Sequence, residues 1–194
     1  MKFDAFKVVL AAIIGLMSTQ AQALWNSDNL TLNDQTVFVR KNIKGASSTY
    51  KLIDANTKEL PGISSLDGQS LEPGNPFIFD QIAFGYKRVA DATGLGDTLY
   101  NSAAPAALRN AQFEIRQGGR LVLSIPVADA ISEGTPTNPN EVFLQLNREY
   151  HIIDDRNFEV NLVFPEGSTG MVGVADNYEA FEFRLKGMGA IAKQ

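Results

Sequence analysis

AFEFRLKG, residues 180–187, alternates strictly: Phe181, Phe183 and Leu185 fall on one side of an extended chain, and Glu182, Arg184 and Lys186 on the other. Successive side chains of a strand point to opposite faces of its sheet, so this run predicts a half-buried antiparallel strand. The same period recurs upstream. FEVNLVFP at 158–165 turns Phe158, Val160, Leu162 and Phe164 inward, and EVFLQLN at 141–147 offers Val142, Leu144 and Leu146 as its core face.

AQFEIRQGGRLVLSIPV at 111–127 predicts a hairpin. Phe113 and Ile115 alternate with polar residues, Gly118-Gly119 supplies the positive φ of a tight turn, and Leu121, Leu123 and Ile125 follow. Pro126 should stop that strand or lie at an edge, because it has no N–H to give to a ladder. PFIFDQIAFGYKRV at 76–89 is long enough to bend or change sheets near Asp80 or Gly85. TVFVRK at 36–41 and STYKLI at 48–53 bring the total to eight strands, joined by loops such as LPGISSLDGQSLEPGNP at 60–76. The class is all-β: one eight-stranded antiparallel β-sandwich over 36–194. Helix is confined to Ala103–Asn110, with Pro105 tolerated in its first turn, and to the opening segment. Asp91–Asn101 and Ser132–Asn140 read as exposed loops.

The 194 residues suit one domain, large enough to bury roughly 70% of its unfolded surface without staples. Cysteine is absent, which excludes disulfides, thiolate metal sites and a Cys nucleophile. The net charge of −5 repels phosphate backbones, so direct nucleic-acid binding is not expected. Arg40, Lys41 and Lys44, the tightest basic group, read as a solvated turn between strands.

Residues 1–23 admit two readings. Lys2 and Lys7, the apolar run Val8–Met17 and Ala21-Gln22-Ala23 stand in the order of a secretory signal with an A-x-A cleavage site. Equally, Phe6, Leu10, Ile13 and Met17 recur at spacings of three and four, the face of a retained helical arm that contacts a neighbouring subunit or one membrane leaflet. Asp4 suits the start of that helix. Ten apolar residues cover only about 15 Å as a helix, half of a hydrocarbon core, so the segment is not a membrane span. Residues 24–35 read as a linker.

The residues point to no catalytic residue, cofactor site or metal site. His151, the single histidine, stands near Asp154 and Asp155, but a strand and its following turn do not supply three convergent ligands. The loop from Asp91 fails the calcium spacing, with Leu95 at the fifth position and Ser102 at the twelfth. Asp80, Asp155 and Glu159 could pair as glycosidase carboxylates only by chance proximity. Trp25, Tyr50, Tyr86 and Tyr100 read as packing anchors rather than a sugar platform. Enzyme activity is not expected.

GNPFIFDQIAFGYKRV at 74–89, the hairpin QFEIRQGGRLVLSIPV, then NREYHIIDDRNFEVNLVFPEG and AFEFRLKGMG together resemble jelly-roll coat proteins of icosahedral bacteriophages that contain an internal membrane. The likeness covers about 74–189 and lies in strand order and texture. It implies a jelly-roll capsid subunit of a virion that forms trimers or pentamers, joins other capsid proteins, and reaches neighbours or the lipid membrane with an N-terminal arm. The family has no catalytic residues to transfer. The alternative is an exported β-sandwich, periplasmic or secreted, that binds a sugar, peptide or surface partner after its signal is cleaved.

Overall fold

In a computed structural model, which describes residues 2–27, 30–134, 142–173 and 176–192, eight strands form two four-stranded antiparallel sheets. The strands are β1 (Leu30–Asn42), β2 (Thr49–Lys51), β3 (Phe77–Val89), β4 (Gln112–Gln117), β5 (Arg120–Pro126), β6 (Leu144–Ile152), β7 (Phe158–Val163) and β8 (Tyr178–Ala192). One sheet runs β1-β8-β3-β6 and the other β2-β7-β4-β5. Helices α1 (Lys2–Ile14) and α2 (Thr19–Asn26) precede β1. The short α3 (Ala106–Arg109) and α4 (Val127–Ala130) each begin directly after a proline, whose fixed φ suits a helix start.

The alternating runs place their apolar faces between the sheets. Phe181, Phe183 and Leu185 of β8 meet Phe158, Val160 and Leu162 of β7, all buried. Phe113 of β4 is the centre of this core, its ring 4.7 Å from Phe84 of β3 and 5.4 Å from Phe183 of β8. Sequence period and burial agree here because each of these strands turns one face to the core.

Two bulges change the phase elsewhere. In β3, Phe77 and Phe79 face the core, the register shifts between Phe79 and Gln81, and Ile82, Phe84 and Tyr86 then take over the inward positions. Asp80 is the extra residue, buried and held by Gln145, whose Nε2 donates to its backbone oxygen at 3.0 Å and to Oδ2 at 2.8 Å. The strand bends there, as a bulge requires, but stays in one sheet. In β5, Ile115 pairs with Leu123 and Arg116 with Leu121, so Val122 is the extra residue. Leu121 therefore turns away from the core, 51% exposed, against the inward position that its spacing predicts.

Other expectations also shift. The strand at 141–147 is displaced to Leu144–Ile152, and Leu144 is exposed rather than core, because it lies beyond the β3 bulge on an edge strand. Glu141 and most of the 132–140 loop lie outside the described residues. The linker at 24–35 is replaced by the end of α2 and the first part of β1, which pairs with β8 from Leu30↔Ala192 through Asn42↔Ala180. Arg40 and Lys41 consequently sit in β1, not in a turn.

Gly187 pairs with Phe79 beside the β3 bulge, where the two backbones approach closely. A Cβ added at Gly187 would overlap the Ile78 carbonyl and sit 2.5 Å from Phe79 Cα. Gly187→Ala is expected to cost about 1–3 kcal/mol, a fall in melting temperature of roughly 3–10 °C by thermal denaturation.

Candidate functional site

The four residues that the helical spacing singles out come together. Phe6, Leu10, Ile13 and Met17 are all buried, with Ala21 of α2, against Ile78 of β3 and Ile153 after β6. Leu32 of β1, Met188 of β8 and Trp25 of α2 close the cluster. This second core lies on the outer face of the β1-β8-β3-β6 sheet. Ile78 points away from the sandwich because its neighbours Phe77 and Phe79 point in. The helical face marked for a neighbour or a lipid leaflet is thus occupied by the chain's own sheet. What α1 and its following turn leave outward is Val8, 71% exposed, and Leu16, 51% exposed.

Polar bonds fix the helical layer in place. Ser18 caps α2, its Oγ accepting from Ala21 N at 3.2 Å, and Gln22 Nε2 donates to Met17 O at 3.0 Å. Trp25 Nε1 donates to Gly74 O at 3.2 Å, and Arg156 Nη2 donates to Leu16 O at 2.9 Å. Among the described residues, no helix is long and apolar enough to cross a membrane.

The other end of the same outer face is covered by loops. Glu182 of β8, outward by its spacing, is only 3% exposed because residues 98–101 and 132–134 close a cavity of about 390 Å3 over it. Arg40 donates to Glu182 Oε1 at 2.8 Å and to Gly62 O at 2.8 Å, and stacks over the Tyr100 ring. Arg184 lies 3.2 Å from Glu182 Oε2, off the hydrogen-bond axis, and over the Phe143 ring. One carboxylate between two guanidiniums is a charge-compensated cluster in which Arg184 Nε makes no hydrogen bond, and alternation alone could not reveal it, since it depends on the covering loops.

The remaining candidates separate. His151 is on β6, paired with Ile78; burial first, and then the charge of Arg148, holds its imidazole below the ordinary range. Asp154 is buried in the following turn, its Oδ2 accepting from Gly74 N at 2.7 Å, while Asp155 takes a positive φ there. No group of three His, Asp or Glu that could hold a metal ion exists among the described residues. Asp91 Oδ1 accepts from Thr93 N, Thr93 Oγ1 and Gly94 N, a local turn cap that draws its pKa down. Of the three scattered carboxylates, Asp80 is held by Gln145, Asp155 lies in its turn, and Glu159 of β7 pairs with Lys51 of the adjacent β2. The aromatics likewise part company: Trp25 joins the helical layer, Tyr50 donates to Asn42 O, and Tyr100 donates to Leu95 O.

Tyr86 is the fourth aromatic, buried with its hydroxyl on the Glu179 carboxylate, which Arg88 also holds at 2.9 Å. Burial, and then this bond, push the phenol up to about 12. An unfolded tyrosine titrates near 10, so the stabilising contribution is fully present below pH 10 and is lost as pH rises through about 12. Phenolate absorbance during an alkaline titration is expected to show Tyr86→Phe removing a late step near 12, not one near 10.

No protein-family model matches the chain, and no curated protein matches it in sequence.

Proposed function

We propose that the chain is a jelly-roll subunit of an icosahedral virion shell, a structural protein that acts by contacting copies of itself and other capsid proteins. One observation carries this: the strand pairing is nested. β1 pairs with β8, β2 with β7, β3 with β6 and β4 with β5, all antiparallel. The eight strands thus form one long hairpin, and the β3–β8 and β4–β7 pairings wrap it into two sheets. This nesting supports reading the sandwich as a jelly roll, an architecture used by viral capsid and lectin domains. The textural resemblance over 74–189 favours the shell within that group.

In this role residues 2–27 are a retained layer that seals the outer face of one sheet. Val8 and Leu16 are then the apolar contacts it offers to a neighbouring subunit or a lipid surface. Sedimentation of the full chain is expected to give a trimer or pentamer that dissociates on dilution. A monomer at every concentration and salt tested would overturn the shell role.

The order of Lys2 and Lys7, Val8–Met17 and Ala21-Gln22-Ala23 favours a second role, an exported β-sandwich binder. Intact mass decides between them. Full length in purified particles supports the shell; loss of residues 1–23 in a periplasmic fraction supports export.

A further inference from the structure

β5 and β6 each lie at one edge of their sheet, and beside them lies a cavity of about 590 Å3. Three segments remote in sequence wall it: the turn after α1 at Leu16, the β4–β5 hairpin, and β6 with the turn that follows. The chain has eight arginines. Five are ion-paired: Arg40 and Arg184 with Glu182, Arg88 with Glu179, Arg109 with Glu133, and Arg116 with Glu114. The other three, Arg120, Arg148 and Arg156, have no carboxylate partner among the described residues, and all three line this cavity. In a chain of net charge −5, that concentrates unneutralised positive charge in one hollow, with only the Glu149 carboxylate on its wall.

The wall is braced. Gln117 Oε1 accepts from Ile153 N at 2.9 Å, and its Nε2 donates to Ile153 O at 2.8 Å and Arg156 O at 3.2 Å. These bonds tie the turn that carries Arg156 to the hairpin that carries Arg120. Arg148 is stacked over the Tyr150 ring, its guanidinium 4.6 Å from the centroid. Capping the end of α1 explains Arg156 in structural terms, but neither Arg120 nor Arg148 serves the fold in that way. Leu16 and Leu121, each 51% exposed, stand at the same cavity, Leu121 because the Val122 bulge turns it out.

We infer that this cavity binds a phosphate group carried on a small apolar body. A planar carboxylate is satisfied by one guanidinium fork, whereas a tetrahedral phosphate offers oxygens toward several directions and can take donors from the hairpin, at Arg120, and from β6 with its following turn, at Arg148 and Arg156. Leu16, Leu121 and the Tyr150 ring supply apolar surface beside it, and a hollow of this volume suits a small ligand rather than a polymer backbone. The assignment does not rest on the shell role.

Calorimetry on the full chain tests it with phenyl phosphate and inorganic phosphate, alongside sedimentation with phosphatidylcholine vesicles with and without phosphatidic acid. Phenyl phosphate is expected to bind more tightly than inorganic phosphate. Arg120→Gln and Arg148→Gln are exposed positions whose variants keep the fold, and each is expected to weaken binding about tenfold. Arg109→Gln, outside the cavity, leaves binding unchanged. Phosphatidic-acid-dependent vesicle binding that the same two variants abolish assigns the phosphate to a lipid headgroup; phenyl phosphate binding without vesicle binding assigns it to a soluble ester. No binding of either probe at millimolar concentration, or equal binding by the double variant, overturns the site. So does tighter binding of a single-stranded oligonucleotide than of phenyl phosphate.

Discussion

Replacing Phe113 by Ala is expected to lower the stability of the sandwich by about 3–5 kcal/mol. Its ring lies between Phe84 and Phe183, which belong to the opposite sheet, so it is a direct contact between the two layers. Both neighbours are fully buried and lie on the long paired strands β3 and β8, whose backbones cannot close on the space that is left. The variant would keep the lost contacts and also carry the resulting cavity. Thermal denaturation reads this as a fall of roughly 6–20 °C. A fall below about 3 °C would mean that the sheets close over the gap and that Phe113 does not join them as described.

Ile13→Asp is expected to act just as strongly but in one place. Ile13 is 2% exposed in the apolar cluster of Phe6, Leu10, Met17 and Ile78. Burying an unpaired carboxylate there costs several kcal/mol. The helical layer has an escape that Phe113 lacks: α1 and α2 can lift from the sheet, so the loss is capped at the free energy of docking. Hydrogen exchange is expected to show protection in α1 falling at least about a hundredfold, with β4 and β7 unchanged. Ile78 and Met188 then become exposed, so the variant should also self-associate as its concentration rises. Equal loss of protection in the helices and the strands would show that the two cores melt as one. Leu10→Ala, which adds no charge, should weaken the layer in the same direction.

These two sites also mark what could be read from the residues alone. The inward faces of β7 and β8 were legible because Phe158, Val160, Leu162, Phe181, Phe183 and Leu185 each follow a strict period of two. The grouping of Phe6, Leu10, Ile13 and Met17 was legible for the same kind of reason, a helical period. What lies beneath that face was not. Ile78 belongs to an unbroken apolar run, PFIF, which is consistent with a strand buried on both sides but does not say by what. The length of 76–89 marks a bend near Asp80, but nothing in the residues marks the bulge at Val122, and one extra residue is enough to reverse the faces of all that follow. Leu121 turns outward for that reason, and Leu144 is exposed because it stands at the end of an edge strand. The burial of Glu182 and the gathering of Arg120, Arg148 and Arg156 depend on which segments meet after the chain wraps. Their spacing in the sequence carries no trace of it.

The nested pairing also bears on how the protein comes into being on the ribosome. Leu30 has Ala192 opposite, and Thr36 has Lys186, so β1 finds its partner only after nearly all the intervening chain has been made. At about 5–20 residues per second that is a wait of roughly ten to thirty seconds. Only the innermost pair, β4 with β5, can form soon after emergence, and zippering then spreads outward with the amino-terminal strand left until last. A nascent chain of this design keeps β1 unpaired along its whole length until β8 has been made.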